Sequence, residues 1–207
     1  MNRDRLLQNK LTPPMVGKKP QSLILHDDER VDNYYWLREK ENPEVIAYLE
    51  AENSYTQAMM QHTEVLQEKL YQEMLARIQE TDLSVPYRKD EYYYYSRTEA
   101  GKAYPIYCRK KGSLEAAEEI LLDQNLLAEG HEFFNIGVLQ VSPNHQLLAY
   151  SVDTSGAEKY TMYFLDLKTS RLFEKVIEDT YYSFAWGNDN RTLFYTKVDA
   201  ANRPFQL

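Results

Sequence analysis

Apolar residues recur every three or four positions through residues 43–78, which is the spacing of one face of an α-helix. The motif at 42–44 (NPE) suits a helix start, since asparagine can cap, proline tolerates the first helical position and glutamate favours the positive end of the dipole. One straight helix over this region would extend about 50 Å. The pattern therefore predicts two helices or one kinked helix, with a break at 62–63 and Thr63 as a candidate cap. The predicted stripe consists of Ile46, Leu49, Asn53, Thr56, Met60, Leu66, Leu70, Met74 and Ile78.

Beyond the helical region the pattern changes to the alternation and tyrosine content that are typical of β-strands. Turns at Gly101 and Gly112 divide the first stretch into short strands, which indicates a small antiparallel unit. A second unit begins near Phe134 and closes near 175–177, and a third starts at 183–186. The predicted strands are residues 92–97, 104–109, 119–122, 147–153 and 160–166.

Two of these units are related by an internal repeat. Residues 141–153 (VSPNHQLLAYSVD) return as 186–198 (WGNDNRTLFYTKV), at an offset of 45 residues. A turn, a short apolar strand and a second turn at this period are typical of the four-stranded blades of a β-propeller. The repeat predicts that Leu148 and Leu193 occupy equivalent places on the second strands of adjacent blades.

The same register bears on how much of the propeller the chain contains. It places Leu207 opposite Met162, in the third strand of a repeat. Each blade must cover its faces with neighbours, and the ring must close to remove its edges. We therefore expect the front part of a longer protein, mostly β, with an N-terminal helical arm followed by the first blades of a propeller.

The segment before the helices combines a polar stretch with a run of aromatic residues. Residues 1–20 are polar and contain prolines, which favour an extended backbone, and 22–26 is a short extended segment. The carboxylates at 27–29 are best explained as solvated surface. Three large aromatic residues at 34–36 would be costly to expose to water, so we expect them to pack against a surface that this chain does not contain.

Charge and hydropathy argue against several classes of function. The chain has 24 basic and 32 acidic residues, a net charge of -8, and no basic patch denser than 109–111. Nucleic-acid binding depends on clustered Lys and Arg, so nucleic acid is a poor candidate partner. The acidity could attract cationic peptides, although solubility explains it equally well. No stretch is long and apolar enough for a membrane span or a signal peptide, which predicts a cytoplasmic protein with no membrane partner.

The residue types that usually carry chemistry form no recognisable constellation. The histidines lack zinc-type spacing, and the glycines form neither a Gly-x-Ser-x-Gly elbow nor a phosphate loop. Cys108, the single cysteine, is better explained as a buried structural thiol than as a nucleophile, and Asp166 as a turn residue that binds its own backbone. We therefore predict no catalytic, cofactor-binding or metal-binding residue in this sequence. The four histidines are His26, His62, His131 and His145.

Several motifs together resemble a known family. Residues 32–38 (DNYYWLR) and 42–53 (NPEVIAYLEAEN) are similar to the amino-terminal signature of the prolyl oligopeptidase family. Further segments resemble the oligopeptidase B branch of that family, and the resemblance covers nearly all of residues 20–207. These segments are 95–97 (YSR), 101–110 (GKAYPIYCRK), 120–123 (ILLD), 127–131 (LAEGH) and 149–153 (AYSVD).

The resemblance implies a serine peptidase with a seven-bladed propeller and an α/β-hydrolase catalytic domain, which cleaves short peptides after Arg or Lys. It also implies that the arm and helices pack on the catalytic domain, and that the Ser-Asp-His triad and the acidic residues selecting a basic side chain lie beyond residue 207. We expect residues 1–82 to form the arm and helices, and residues 83–207 to form two blades and part of a third. We expect the chain to be inactive by itself. The rival hypothesis is a non-enzymatic propeller module that binds a partner, or the remnant of a truncated gene.

Overall fold

The computed structural model describes residues 11–207 and divides the chain into two compact units. The first unit ends at Ile78, and the second runs from Gln79 to Leu207. This division lies close to the predicted boundary between residues 82 and 83. The first ten residues of the predicted arm lie outside the described residues.

The first unit begins with a β-hairpin that the sequence pattern does not predict. Strand β1 (Gln21–Leu25) pairs antiparallel with β2 (Asp28–Asp32). The turn holds His26 and Asp27 at positive φ, 52° and 62°, as tight two-residue hairpin turns require. The predicted extended segment is therefore one strand of a hairpin, and the carboxylates at 27–29 are exposed, as expected.

Two helices form the rest of the first unit. Helix α1 (Pro43–Met60) starts at Asn42, whose side-chain oxygen accepts a hydrogen bond from the backbone N–H of Glu44 at 2.9 Å, as predicted. A 3-10 turn at Gln61–Thr63 separates α1 from helix α2 (Glu64–Leu75). The predicted break between two helices is thereby confirmed.

The predicted cap of α2 is wrong. Thr63 has near-helical backbone angles, φ −99° and ψ −3°, whereas a capping residue is typically extended. Its hydroxyl donates to the carbonyl oxygen of Met60 at 2.7 Å and makes no capping hydrogen bond. The Thr63 hydroxyl therefore binds a carbonyl oxygen of the preceding turn instead of a backbone N–H at the start of α2.

The second unit consists of antiparallel strands in two sheets. The first sheet has the order β3-β4-β5-β6, and the second has the order β13-β12-β11-β9-β8-β7, with β10 paired to β9. A short helix, α3 (Gln124–Ala128), follows the first sheet and is capped by the side chain of Asp123. The strands are β3 (Tyr87–Lys89), β4 (Tyr92–Arg97), β5 (Ile106–Lys111), β6 (Glu118–Asp123), β7 (Asn135–Val141), β8 (Leu147–Asp153), β9 (Tyr160–Asp166), β10 (Arg171–Leu172), β11 (Ile177–Trp186), β12 (Leu193–Val198) and β13 (Pro204–Gln206).

The strand register confirms the internal repeat. Val141 pairs with Leu148 between β7 and β8, and Trp186 pairs with Leu193 between β11 and β12. Each residue of the second pair lies 45 positions after its counterpart in the first. Leu148 and Leu193 therefore occupy equivalent places on the second strands of adjacent blades.

The junction between the second and third blades differs from the prediction. Strand β11 runs without interruption from Ile177 to Trp186, so it joins the last residue of the predicted end at 175–177 to the predicted start at 183–186. Its first part pairs with β9 and its last part with β12, and the register shifts between Thr180 and Phe184. Alternation alone does not show this junction, because a strand keeps its period while it passes from one blade to the next.

Two hydrophobic cores lie between successive blades. Leu148 and Ala149 are both 0% exposed, and they project to opposite faces of β8 because side chains alternate along a strand. Leu148 belongs to the core between the first and second blades, and Ala149 packs with Met162 and Phe184 in the next core. The second blade is therefore buried on both faces by its neighbours.

Candidate functional site

The two helices and the turn after α2 expose apolar side chains at helical spacing, which we call the helical stripe. Its seven side chains are between 41% and 62% exposed, whereas Val45, one turn before Leu49 on α1, is buried. The periodicity thus identifies an apolar face, but the described residues do not cover it. The stripe consists of Ile46, Leu49, Met60, Leu66, Leu70, Met74 and Ile78.

The aromatic run before α1 is only partly exposed. Trp36, in a 3-10 helix at Tyr35–Arg38, is buried, and its indole N–H donates to the carbonyl oxygen of Gly17 at 3.0 Å. The ammonium of Lys19 lies 4.3 Å from the indole ring centre and 2.6 Å from a carboxylate oxygen of Glu44. The expectation that all three aromatic residues need an outside surface is therefore wrong for Trp36, because the arm supplies a cover for it.

In the second unit, a polar cluster of buried Tyr94, buried His145 and exposed Asp90 joins the first two blades at one end. The imidazole Nδ1 of His145 lies 2.7 Å from the Tyr94 hydroxyl, and its Nε2 lies 2.9 Å from Oδ2 of Asp90. Asp90 and His145 occupy the turns between the first and second strands of successive blades, at φ of 53° and 61°. Because an ionised carboxylate only accepts, Nε2 carries a proton, and in the neutral ring Nδ1 accepts from Tyr94. We call these three residues the turn clasp.

A buried arginine supports the turn clasp from the first blade. Arg109 donates from one terminal nitrogen to the carbonyl oxygen of His145 and from Nε to a carboxylate oxygen of Glu119, each at 2.7 Å. Its guanidinium carbon lies 4.2 Å from the centre of the Tyr92 ring. The Tyr94 hydroxyl is protonated at neutral pH, and burial raises its pKa further. The first two blades are therefore held by hydrogen bonds at this end as well as by their apolar core.

The second and third blades make the corresponding contact without ionisable groups. Asn190 lies 45 residues after His145, also at positive φ, and its side-chain oxygen accepts from the backbone N–H of Asn144 at 2.7 Å. The indole N–H of Trp186 donates to the carbonyl oxygen of Gln140 at 3.2 Å. The same turn position thus links neighbouring blades twice, with an imidazole in one link and an amide in the other.

The opposite face of the first blade carries a second polar network. The Tyr95 hydroxyl donates to Glu118 at 2.6 Å, and Arg97 contacts both Glu118, at 3.1 Å, and Glu99. Burial opposes ionisation of Glu118, but hydrogen bonds from Tyr95 and Arg97 lower its pKa overall. Because Tyr95 follows Tyr94 on β4, this network lies on the face directed away from the second blade.

At the other end of the interface between the first two blades is a cavity of about 320 Å³, which we call the inter-blade cavity. It lies beside the beginnings of β3 and β7, whereas the turn clasp lies beyond their ends. None of the lining residues carries a charge. They are Ser84, Tyr87, Tyr94, Tyr95, Ser96, Tyr107, Cys108, Leu121, Ile136, Gly137 and Leu139.

The residues that the sequence singles out for chemistry have structural surroundings. Cys108 is buried, as predicted, and burial raises the pKa of its thiol to about 11, which disfavours the thiolate. Asp166 accepts from the backbone N–H groups of Lys168 and Thr169 at 2.9 and 2.8 Å, as predicted for a turn residue.

The four histidines lie in different elements. His26 is in the β1–β2 turn, His62 is in the 3-10 turn after α1, His131 follows α3, and His145 belongs to the turn clasp. Within residues 11–207, no three His, Cys, Asp or Glu residues are grouped so that they could hold a metal ion. The absence of catalytic residues from this chain stays a prediction.

The turn clasp and the inter-blade cavity are the features that the sequence does not predict. A turn residue such as His145 is recognisable from its neighbours, but its partner Asp90 lies 55 residues away in another blade.

Nothing in the helices of the described region is long and apolar enough to form a membrane span.

The fold defines a class of protein. Consecutive antiparallel units repeat at 45 residues, share a strand at one junction and bury their faces against each other, as the blades of a β-propeller do. The family described as "Prolyl oligopeptidase, N-terminal beta-propeller domain" matches residues 14–206, and the chain belongs to this family.

Known relatives are much longer than this chain. Dipeptidyl aminopeptidase BI from Pseudoxanthomonas mexicana is 42% identical, covering 91% of this chain and 28% of the relative. Protease 2 from Moraxella lacunata is 36% identical, covering 94% of this chain and 29% of the relative. The structure of oligopeptidase B from Leishmania major has a TM-score of 0.86 and 32% identity, covering 94% of this chain and 30% of that one. The chain therefore spans less than a third of the proteins it resembles.

Proposed function

We propose that this chain is the propeller and helical portion of a serine oligopeptidase that cleaves short peptides after Arg or Lys. The nucleophilic serine, its histidine and aspartate, and the oxyanion hole would come from an α/β-hydrolase domain outside residues 1–207. The chain alone would be inactive. Its role would be to restrict access to the catalytic domain, and it would require no cofactor.

The exposed helical stripe carries this proposal. Seven exposed apolar side chains along the helices and the turn that follows them would be costly to leave in water, and exposed apolar patches mark interaction sites. The two blade interfaces, by contrast, are already covered within the chain. Family membership and the length of the relatives support a catalytic domain as the missing partner.

A peptidase assay tests the proposed activity. The purified chain and the full-length protein would be compared on an N-terminally blocked Arg-Arg substrate that releases a fluorophore. We expect cleavage by the full-length protein and none by the chain alone. Activity of the chain that survives purification would overturn the proposal.

Dipeptide release is a second candidate activity, because the relative with 42% identity is named a dipeptidyl aminopeptidase. Such an enzyme needs a free amino terminus, whereas an oligopeptidase accepts a blocked one. The same full-length protein would therefore be assayed on a free and a blocked form of one dipeptide substrate. Cleavage of the blocked form supports the oligopeptidase, and cleavage of the free form alone supports the dipeptidyl aminopeptidase.

A matched pair of charge substitutions tests the role of the helical stripe. Leu66→Glu places a carboxylate in the stripe, and Val65→Glu places one about 100° around the helix, on an exposed apolar residue outside it. In the full-length protein we expect Leu66→Glu to lower the melting temperature and peptidase activity, and Val65→Glu to change neither. Equal effects of the two substitutions would show that the stripe has no special partner, which would favour the non-enzymatic binding module.

A further inference from the structure

The inter-blade cavity is too large to be a packing irregularity. Protein interiors are close-packed, with few voids larger than a water molecule. A volume of about 320 Å³ instead falls at the lower end of the range for ligand pockets, about 300–1,000 Å³. Both bordering blades have all the strands that pair with their lining residues, so the cavity does not depend on an unfinished sheet.

The walls of the cavity come from the strands of the first blade and from β7, the first strand of the second. Ser96 on β4 pairs with Tyr107 on β5, so their side chains share the face directed toward β7. Ile136 and Leu139 of β7 close the other side. Tyr87 is 61% exposed and marks the mouth of the cavity.

The lining chemistry restricts what the cavity can accept. The lining side chains are apolar or carry a hydroxyl or thiol, which is neutral at pH 7, and burial raises the pKa values of Tyr87 and Tyr107 further. A charged guest would lose its hydration and find no opposite charge, which is strongly unfavourable. An uncharged ring or branched chain would gain from burial, and tyrosine hydroxyls at the wall could hydrogen-bond a neighbouring amide.

We propose that the inter-blade cavity is a subsite for an uncharged aromatic or branched aliphatic side chain of a short peptide. The proposal rests on the proposed peptidase function for its ligand class. It assigns to the propeller a contact with a neutral side chain, separate from the recognition of Arg or Lys.

Ligand-observed fluorine NMR on the purified chain tests this directly. The probe is N-acetyl-4-fluorophenylalaninamide, and N-acetylargininamide is the charged competitor. We expect saturable broadening of the probe signal that the arginine compound does not reverse. No saturable broadening, or equal displacement by the charged competitor, would overturn the proposal.

Substitution at Ser96 localises the binding. Ser96→Phe fills the cavity from β4, and Ser183→Phe makes the same change at an exposed strand position outside it. We expect Ser96→Phe to weaken probe binding at least about tenfold and Ser183→Phe to leave it unchanged. Ser96→Leu fills less of the space and serves if the phenylalanine variant does not fold; it should weaken binding to a smaller extent. Binding unchanged in a folded Ser96 variant would contradict the assignment.

The outcome is separable from that of the peptidase assay, because probe binding needs no catalytic group. Binding without peptidase activity in the full-length protein would retain the subsite and reject the proposed function. Peptidase activity without probe binding would reject the subsite alone.

Discussion

Leu148 and Leu70 are the same residue type in opposite surroundings. Leu148 is 0% exposed on β8, between two blades, whereas Leu70 is 47% exposed on α2. Each belongs to a regular apolar pattern in the sequence. The difference is that a blade meets its neighbour within the same chain, whereas the helical stripe has no cover among the described residues. An apolar pattern therefore identifies a face that needs a partner, without saying where the partner is.

Truncation of these two leucines should give the largest contrast. Leu148→Ala should lower the free energy of unfolding by about 2–5 kcal/mol, because it removes buried methyl groups and leaves a cavity. Leu70→Ala should cost less than about 0.5 kcal/mol, as is usual for exposed positions. Urea unfolding followed by far-ultraviolet circular dichroism measures both. Equal losses would mean that the stripe is covered in solution.

A glycine pair tests how tightly the blades are packed. A Cβ atom at Gly137 would lie 2.6 Å from the Tyr160 ring and 2.9 Å from the Ser151 hydroxyl, whereas one at Gly17 would meet nothing within 4 Å. We expect Gly137→Ala to cost about 1–3 kcal/mol, since overpacking forces neighbours to move. Gly17→Ala, in the arm, is the control and should change stability little. Thermal unfolding measures the melting temperatures of both variants. If they were equal, this would contradict the close packing of the second blade.

Loss of the turn clasp should have an effect in the same range. His145→Ala leaves the Tyr94 hydroxyl without its partner in a buried site, which should cost about 1–3 kcal/mol. His62→Ala changes an exposed histidine in the first unit and is the control. Denaturant titration should show a lower midpoint for His145→Ala only. A wild-type midpoint for this variant would mean that the clasp does not hold the first two blades together.

The smallest predicted effect is a pH dependence at Glu118. Its pKa is lowered in the folded chain, so the carboxylate stabilises the fold above its unfolded pKa of about 4.3, and this stabilisation is lost as the pH falls through the folded value. Glu118→Gln should therefore reduce stability at pH 7 by less than about 1 kcal/mol, and this loss should shrink as the pH falls below about 4.3. Stability curves measured against pH for both proteins would show this. A difference that does not shrink as the pH falls would assign the loss to packing.

The parts of the fold that were predictable depend on short sequence distances. The Asn42 cap, the break before α2 and the strands Leu147–Asp153 and Tyr160–Asp166 follow from local pattern and were confirmed. The short first strand, Tyr87–Lys89, is absent from the prediction because three exposed residues give no alternation signal. The junction at β11 and the turn clasp depend on pairing between distant segments, which a single sequence does not display.

The candidate site divides in the same way. The helical stripe was predictable because its apolar residues recur three and four positions apart in the sequence. Its exposure was not predictable. The inter-blade cavity could not be predicted from the sequence, because Ser96 and Ile136 line it together only when the two blades pack.

Hydrogen exchange measured by mass spectrometry compares the two regions most directly. In the purified chain, amides of α2 should exchange quickly and those of β8 slowly, because only β8 is buried on both faces. In the full-length protein, α2 should become protected while β8 changes little. If α2 exchanges as slowly as β8 in the chain alone, the helices have no need of a partner outside it, and the central claim is wrong.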